Sequence, residues 1–587
     1  MKRCPKCNRA ETDDSLAFCR ADGTRLVSDG SFVSEGAGTL RFDSSPVTGE
    51  TETRILPTGE VTGSPTAPTT VLDGLQPSGN TQAPSKPKSR KGILIAVAAV
   101  VAAALVASAY LYLSRGRSAA AKNSIAVLPF QNAGGDPDME YLSDGISESL
   151  INSLSQLPNL KVIARSTTFS FKGKNTDPRA IGKDLGVETV LTGRVVQRGD
   201  SLTVQTDLVN VADGTQLWGE QFNRRVSDLL AVQTDIAREI SDKLRLRLSG
   251  EAERRLTKSY TAKPKAYQLY LQGLYHWNKR SADDLNRSIA LFQQAIGEDP
   301  AYAQAYGGLA MAYNVLGSTT VMTKNEVAET RLRARATALK ALELDAALPE
   351  AHSVIAQEKV SDWDFAGAEK DFRSAIELNP NFATALQWYS ILLSMLGRHD
   401  EAIVEIKKAY ELDPFSRAVN LQVGNAFYAA RRYDEAIAQY RKLIEMEPTY
   451  PFSHSYITGA YIEKGMYEEA IEPWCQADIL MKVETAEGCE RKKAAFRQAL
   501  KSGGKRGFWR QVLEYDLKYY GQGIYSAVIV AGTYARLGEN ERALEWLEKA
   551  FAARDANLSN LKVDTSFDNL RSDPRFAELM RKVGLPQ

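Results

Sequence analysis

The fold of the second half of this chain is decided by five short segments: ALELDA ending at Ala346, IELNP ending at Pro380, YELDP ending at Pro414, MEPTY around Pro448 and DILMK ending at Lys482. Each of these positions follows the one before it by 34 residues. Self-similarity at a fixed period of this length is typical of repeat proteins, whose units bury their apolar faces by stacking on one another. An array of similar helical pairs is therefore predicted from about residue 265 onward.

Small and large side chains alternate along the second helix predicted for each unit. Two small positions flank one large residue, which lets neighbouring helices interlock. The residues concerned are Ala334 and Ala341; Ala368, Phe372 and Ala375; Ala402, Ile406 and Ala409; Ala436, Tyr440 and Leu443; and Ala470, Trp474 and Ala477. Only Leu443 breaks the pattern of small residues, while Gly397 and Gly465 mark the turn between paired helices.

The period and these positions resemble the tetratricopeptide repeat, a unit of two antiparallel helices. About eight units are expected over residues 263–587, stacked into a superhelix whose concave inner surface would bind a protein segment or a peptide. Helical spacing places most of the aromatic residues of the array in the core rather than in the groove, among them Trp388, Tyr389, Phe427, Tyr428 and Tyr461.

The region 122–250 is predicted to be an α/β domain with a mixed sheet. Short apolar runs bounded by turn residues indicate strands, and apolar residues at helical spacing indicate helices. The predicted order is strand 124–130, helix 138–157, strand 160–164, helix 178–185, strands 188–197, 201–211 and 215–222, and a helix from 226 to about 248. Such an order favours a sheet with helices packed on it.

Five segments of this region carry a resemblance: SIAVLPF, YLSDGISESLINSL, LKVIARSTTFSFKGK, IGKDLGVETVLTGRV and TQLWGEQFNR. Together they are similar to the domain shared by the amino-terminal part of TolB and the FlgO family. That domain is often found between a membrane anchor or signalling module and tetratricopeptide repeats. The resemblance implies a fold and a setting, and it implies no chemistry.

No catalytic constellation is evident in this domain. Asp144 and Glu148 are four residues apart on one predicted helix, but no histidine, nucleophile or metal partner shares their face, so a solvated or helix-start role is expected. Gly134 and Gly135 lack the spacing of a phosphate-binding loop. The chain is therefore predicted not to be an enzyme, and no small-molecule substrate is expected.

The amino terminus, residues 1–27, is predicted to be a small zinc ribbon. Cys4 and Cys7 are separated by two residues, and Cys19 and Asp22 repeat that spacing, so two tight turns would present four ligands to one tetrahedral ion. The segment resembles the short zinc ribbons at the amino terminus of many bacterial membrane proteins, from which it departs by having aspartate at 22. Four protein ligands imply a structural zinc ion that supplies the folding energy of the head. Free thiols on an unfolded head are the alternative.

Residues 28–92 are rich in Ser, Thr, Gly and Pro, which predicts a disordered linker, either a plain spacer or a phosphorylated tether. Residues 93–113, ILIAVAAVVAAALVASAYLYL, contain no charged residue and would form a helix about 31 Å long, so one transmembrane helix is predicted. Basic residues before it favour a cytoplasmic amino terminus. The expected location is a bacterial-type inner membrane, with the carboxy-terminal region in the periplasm or outside the cell.

Cys475 and Cys489 lie seven residues on either side of Lys482, where a helix turn is expected. A disulfide between them is geometrically feasible if this region lies outside the cytoplasm. Two buried free thiols are the equal alternative.

Charge and composition limit the function. Lys and Arg number 73 against 72 Asp and Glu, so no overall field attracts nucleic acid. The favoured hypothesis is a membrane-anchored scaffold or sensor that binds other proteins through its repeats. The alternative is a signal-transducing regulator whose cytoplasmic zinc head contacts a kinase, a cyclase or nucleic acid.

Overall fold

The computed structural model describes residues 123–586, except 175, 247, 257, 259 and 320–323, together with three short strands near the amino terminus. The chain divides into two compact units, which are described separately. The predicted zinc ligands, nearly all of the linker and the segment 93–113 lie outside the described residues. Among the helices that are described, none combines the length and the hydrophobicity needed to span a membrane.

In the amino-terminal unit, three strands of two residues each form a small antiparallel sheet. They are β1 (Lys2–Arg3), β2 (Ala10–Glu11) and β3 (Val27–Ser28), and β1 lies between the other two.

The sheet domain contains six strands and four helices. Its elements are β4 (Ser124–Val127), β5 (Gln131–Asn132), α1 (Glu140–Ser155), β6 (Lys161–Val162), α2 (Arg165–Thr168), α3 (Pro178–Leu185), β7 (Thr189–Arg198), β8 (Ser201–Asn210), β9 (Gln216–Arg225) and α4 (Leu229–Lys243). The strand order is β6-β4-β7-β8-β9, and β5 pairs with β7. Strands β6, β4 and β7 are parallel whereas β7, β8 and β9 are antiparallel, so the predicted mixed sheet is confirmed.

Both faces of the sheet are apolar at β4, where all four side chains are buried and successive side chains point to opposite faces. Ile125 and Val127 of β4 pack towards α1 and α4, whereas Ala126 packs towards α3. Helix α3 has the predicted bounds, because Asp177 caps its first turn and Gly186 ends it in a left-handed conformation.

The sequence misplaced several boundaries of the sheet domain. The first strand stops at Val127, three residues before its predicted end, and β9 runs on to Arg225, beyond the predicted end at residue 222. The short strand β5 and the single-turn helix α2 were not foreseen. Both are too short to show a hydrophobic period.

Helix α5 (Gly250–Leu256) connects the sheet domain to the repeat array. The array consists of α6 (Pro264–Lys279), α7 (Ala282–Glu298), α8 (Ala303–Thr319), α9 (Lys324–Leu344), α10 (Pro349–Ser361), α11 (Phe365–Leu378), α12 (Ala383–Met395), α13 (His399–Leu412), α14 (Arg417–Ala429), α15 (Tyr433–Met446), α16 (Pro451–Glu463), α17 (Tyr467–Leu480), α18 (Ala486–Gly521), α19 (Ala527–Leu537) and α20 (Asn540–Ala552). Helix α18 bends at Gly504, whose φ of 55° is not helical, so its two halves act as one pair. The described helices thus form eight pairs.

The repeating alanines allow close contact between helices. Ala368, Ala402, Ala436 and Ala470 are each fully buried. A Cβ placed on Gly424 would come within 2.2 Å of the ring of Tyr440, which shows how closely the two helices of the fifth pair approach. The alternation of large and small residues therefore has the predicted role.

The carboxy-terminal segment, residues 553–586, returns to earlier repeats and ends with α21 (Pro574–Lys582). Its side chains Phe567 and Phe576 are fully buried in one apolar cluster with Phe365 and Phe372 of the third pair. The array is therefore not made of stacked pairs alone, because its carboxy-terminal segment packs back against the third pair.

Candidate functional site: the two edges of the repeat array

Antiparallel helices of similar length give the array two edges. The turns within pairs lie at one edge, called here the turn edge, and the connections between successive pairs lie at the other, called the junction edge. Each edge is contacted by a different part of the chain.

The sheet domain packs on the junction edge. Three residues spaced by 34 lie at successive junctions: Asn379 and Asp413 contact the sheet domain, and Asp345 contacts the connecting segment that follows α5. Lys258 donates to Asp345 Oδ2 at 2.6 Å, and Asn379 Nδ2 donates to Ser155 Oγ at 3.0 Å. The aspartate and asparagine of the segments LELDA, IELNP and YELDP, which first revealed the period, are thus also the docking residues.

The edge strand of the sheet is covered by the same junctions. Val162 N donates to Asn381 Oδ1 at 3.2 Å, and Ala164 N donates to the carbonyl oxygen of Leu412 at 2.8 Å. Asn381 Nδ2 in turn donates to the carbonyl oxygens of Ser155 and Leu160. These bonds satisfy backbone groups that an edge strand would otherwise leave unpaired.

Asp413 is a buried charged contact of this edge. Ser166 Oγ donates to one of its oxygens at 2.5 Å and Thr167 Oγ1 donates to the other at 2.8 Å. Burial raises the pKa of the Asp413 carboxyl, although both hydroxyl groups favour its charged form. Next to it, the rings of Phe171 and Phe415 lie 6.0 Å apart.

Asp144 and Glu148 belong to a buried ionic network, so the expectation that they lie on a solvated face is wrong. Arg165 Nε is 3.0 Å from Glu148 Oε2, and Lys172 Nζ is 2.6 Å from Asp144 Oδ1. Asn278 of the first pair also donates to Glu148 at 2.8 Å. Burial raises the pKa of both carboxyl groups in spite of these partners.

Arg280 extends this network into the repeat array. It has a left-handed φ of 59° in the turn of the first pair, and its guanidinium lies 3.7 Å from the centre of the Trp277 ring. Burial, together with the charge of Arg417, lowers the pKa of Arg280 to about 10, although the charge of Glu148 acts in the opposite direction. The network therefore joins the sheet domain to the first pair.

The turn edge is contacted by the carboxy-terminal segment, again at a spacing of 34 residues. The backbone turns through positive φ at Trp363, Gly397, Arg431 and Gly465. The guanidinium of Arg554 in this segment lies 5.0 Å from the centre of the Trp363 ring, which also stacks on Phe551 of α20 at 5.6 Å. Two of these positions therefore have a strained non-glycine residue.

The next two positions of the turn edge also touch this segment. Arg431 donates to Asp568 at 2.8 Å, and a Cβ on Gly397 would lie 2.9 Å from Lys562. Trp363 and Arg431 thus occupy positions of positive φ, which glycine adopts with less strain, and both contact the carboxy-terminal segment.

A cleft of about 410 Å³ opens beside this contact. Its basic lining residues are His399, Arg431, Lys562 and Arg571, and Met580 contributes an apolar wall. Burial and the nearby guanidinium and ammonium groups of Arg431 and Lys562 lower the pKa of His399. The cleft is mildly basic, because Asp568 pairs with both arginines.

Cys475 and Cys489 are buried free thiols in the structure. Each Sγ donates to the carbonyl oxygen of the other residue, at 3.4 Å and 3.3 Å. The prediction that helices place them side by side is consistent with this geometry, and the structure has the free-thiol alternative. Burial raises the pKa of both thiols, which makes them unreactive as they stand.

Beside the thiols lies Lys492, fully buried and 2.6 Å from Asp478 Oδ2. Four aromatic rings surround its ammonium group at 4.5 to 5.8 Å, namely those of Trp474, Phe496, Tyr515 and Tyr519. Lys492 occupies a position where the corresponding residues of earlier repeats are small, such as Gly424 and Thr458. The sequence analysis did not identify this cluster.

The four histidines are separate structural residues, as expected. His276 contacts Asp284 at 2.8 Å, His352 contacts Asp371, and His454 Nε2 donates to the carbonyl oxygen of Pro448 at 2.9 Å. Within the part of the chain that the structure describes, no group of three or more histidine, cysteine or acidic residues could hold a metal ion. The predicted ligands Cys4, Cys7, Cys19 and Asp22 lie outside that part.

Comparisons with known families define the class of each region. Tetratricopeptide repeat models match residues 372–404 and 421–479, so the helical region is an array of tetratricopeptide repeats, a fold typical of protein-interaction scaffolds. Residues 121–239 match the second domain of HilA/YgeH-like transcriptional regulators. This match covers the sheet domain, for which the sequence had indicated a resemblance to the TolB and FlgO domain.

Among individual proteins, the chain is similar to "Putative adenylate cyclase 3" of Rhizobium meliloti, with 33% identity over 242 residues. The match covers 40% of this chain and 40% of that relative, so the chain spans less than half of the relative's length.

Two solved tetratricopeptide proteins are also similar. "YrrB: a TPR protein with an unusual peptide-binding site" is 22% identical, covers 35% of this chain and 97% of its own, and has a TM-score of 0.25. A thermophilic tetratricopeptide protein of Thermus thermophilus, TTC0263, is 18% identical, covers 34% and 99%, and has a TM-score of 0.28.

Proposed function

We propose that this chain is a membrane-anchored, non-enzymatic scaffold or sensor, in which the sheet domain and the repeats together bind a protein partner. The observation that carries the proposal is the docking of the sheet domain on two successive junctions of the array through Asn379 and Asp413, with the connecting segment held at the junction before them by Asp345. Because Asp413 is buried in this contact, separating the two parts would leave its hydrogen bonds unmade, and we expect them to stay together. A partner bound to the repeats would therefore act on the sheet domain as well.

The partner surface that fits best is the uncovered continuation of the junction edge. Beyond Asp413, the next junction exposes Phe452, with 45% of its surface accessible, beside Tyr450, whose ring lies 5.4 Å away. Arg417 lies 5.2 Å from the ring of Tyr450 and pairs with Glu447. Exposed aromatic residues with an arginine are typical of residues that dominate protein interfaces.

The test is affinity capture with the full-length chain expressed in its own host. We expect one protein to be recovered in a constant molar ratio, and we expect Phe452→Ser to reduce its recovery at least tenfold. Val404→Ser is the matched control, because Val404 is 51% exposed on a second helix away from this junction. Equal recovery with both variants would contradict the assignment of the surface.

The enzymatic alternative has a direct test, because one relative bears the name of a putative adenylate cyclase. The purified full-length chain should form no cyclic AMP from ATP with either magnesium or manganese. Formation of cyclic AMP that depends on residues of this chain would overturn the proposal.

A second candidate is a signal-transducing regulator whose cytoplasmic zinc head contacts a kinase, a cyclase or nucleic acid. The match of the sheet domain to a domain of transcriptional regulators favours a signalling role.

Strand β1 directly precedes Cys4 and β3 follows Asp22, which supports a small ribbon around the four proposed zinc ligands. Zinc analysis of the full-length chain should give one ion per chain, and Cys7→Ser should abolish it. An unchanged affinity in Asp22→Ala would remove Asp22 as a ligand.

The proposed span 93–113 places the repeats outside the cytoplasm. Cys475 is unsuited to a labelling test, because it is buried. Ser502→Cys introduces a thiol at an exposed position of α18 instead. An impermeant maleimide should label this variant in intact cells or spheroplasts, whereas labelling only after lysis would reverse the orientation.

A further inference from the structure

The sheet domain has one covered edge and one open edge. The edge at β6 is sealed by hydrogen bonds from Asn381 and Leu412 of the repeats. At the other edge, β9 extends over ten residues and pairs only with β8 among the strands that are described. It contains no proline or lysine, the residues that commonly protect such an edge.

The register of β8 and β9 determines which backbone groups face outward. Val226 N donates to the carbonyl oxygen of Asp200 at 3.0 Å, and Glu220 lies opposite Thr206. In an antiparallel ladder the hydrogen-bonded residues alternate, so the even-numbered residues 218–224 bond to β8. The N–H and C=O groups of the odd-numbered residues 219–225 therefore point away from the sheet, and these residues are all exposed.

We propose that a second copy of this chain pairs with β9, antiparallel and around a twofold axis at Phe222. An antiparallel partner must bond through the outward-facing residues, which allows only registers that pair odd positions with odd ones. One of these registers places Glu220 opposite Arg224 of the copy, and the twofold axis repeats that pair. A slide by two permitted steps in either direction pairs Glu220 with Glu220 or Arg224 with Arg224 of the copy, which sets like charges against each other.

The proposed register also pairs Gln221 with Asn223 of the copy through backbone hydrogen bonds. At present the carbonyl oxygen of Asn223 accepts only from the exposed side chain of Arg224, at 3.1 Å. The result is an isologous contact that joins two five-stranded paths into one continuous sheet, and so brings two repeat arrays into one assembly. This goes beyond the proposed scaffold function, because it concerns the unit that binds rather than what is bound.

The test measures the mass of the purified full-length chain by sedimentation velocity. We expect a dimer, and we expect Glu220→Arg and Arg224→Glu each to weaken it at least tenfold, because like charges then face each other. The double exchange Glu220→Arg with Arg224→Glu should restore the dimer. Arg194→Glu is the matched control: Arg194 is exposed on β7, an inner strand, so the dimer should persist.

A backbone test complements the charge exchange. Gln221→Pro removes an N–H that faces away from β8, so the fold of one copy tolerates it and only the dimer is lost. A monomeric wild-type chain at tens of micromolar would overturn the proposal. A dimer that survives both Gln221→Pro and Glu220→Arg would also overturn it, because another part of the chain would then hold the copies together.

Discussion

Replacing Asp478 by asparagine removes the carboxylate that faces Lys492 in the interior of the array. Both side chains are buried, with 1% and 0% of their surfaces exposed, and no water can replace the lost charge. Removing one partner of a buried ion pair costs about 3–5 kcal/mol, because the other charge is left uncompensated. The four rings at 4.5 to 5.8 Å retain part of the stabilisation of the ammonium group. We therefore expect Asp478→Asn to cost about 3 kcal/mol.

The assay is urea unfolding of the full-length chain, followed by tryptophan fluorescence and by amide exchange of peptides from α17 and α18. Trp474 reports directly, because its ring lies 4.5 Å from the Lys492 ammonium. The double variant Asp478→Asn with Lys492→Met removes both charges and keeps most of the volume, so it should recover most of the lost stability.

Two outcomes would refute this reasoning. One is an Asp478→Asn variant within about 1 kcal/mol of the wild type, which would mean that the rings alone suffice for the ammonium. The other is a double variant as unstable as the single one, which would mean that Asp478 acts through a contact other than Lys492.

Three further predictions concern other sites. Burial raises the pKa of Asp516 to about 7 from 3.8, so its protonated form stabilises the fold below pH 4, and this contribution, up to about 4 kcal/mol, is lost as the pH rises to 7. In Asp516→Asn, the urea midpoint should therefore change less with pH across that range. An unchanged dependence of the midpoint on pH would contradict the assignment. Asp413→Ala leaves the hydroxyls of Ser166 and Thr167 without their acceptor and should lower the free energy of unfolding by about 2 kcal/mol. The loss should appear as faster amide exchange in residues 165–171. Exchange that rises equally in the last helical pair would indicate a general destabilisation of the fold instead. Trp363→Gly relieves a positive φ but loses the stack on Phe551, so we expect a lower melting temperature. Arg431→Gly loses only an exposed ion pair, so its stability should match the wild type within about 1 kcal/mol. Equal losses of stability in both variants would show that the stack is unimportant.

Local pattern was enough for the class of each region that the structure describes. The 34-residue spacing predicted the helical pairs, because each unit must bury the same face against the next one. The order of strands and helices in the sheet domain predicted a mixed sheet, and helix α3 was predicted with the bounds that it has. These features depend on neighbours a few residues apart, which a sequence displays directly.

The long-range contacts were not predictable in the same way. Asp144 and Glu148 looked solvated, because Arg165 comes near them only when the sheet domain folds, and Asn278 reaches Glu148 only when that domain docks on the first pair. Lys492 was not singled out from the sequence, because part of its aromatic cage, Trp474 and Tyr515, lies about 20 residues away on either side.

The sequence by itself determined that this chain has a mixed-sheet domain followed by stacked tetratricopeptide pairs. Only the tertiary structure decided that both edges of the array are used, one by the sheet domain and the other by residues 553–586. The physical reason is that a period records the contacts of each unit with its neighbours, which recur in every repeat. Contacts such as Arg431 with Asp568 join residues 137 positions apart and occur once, so they leave no period to read.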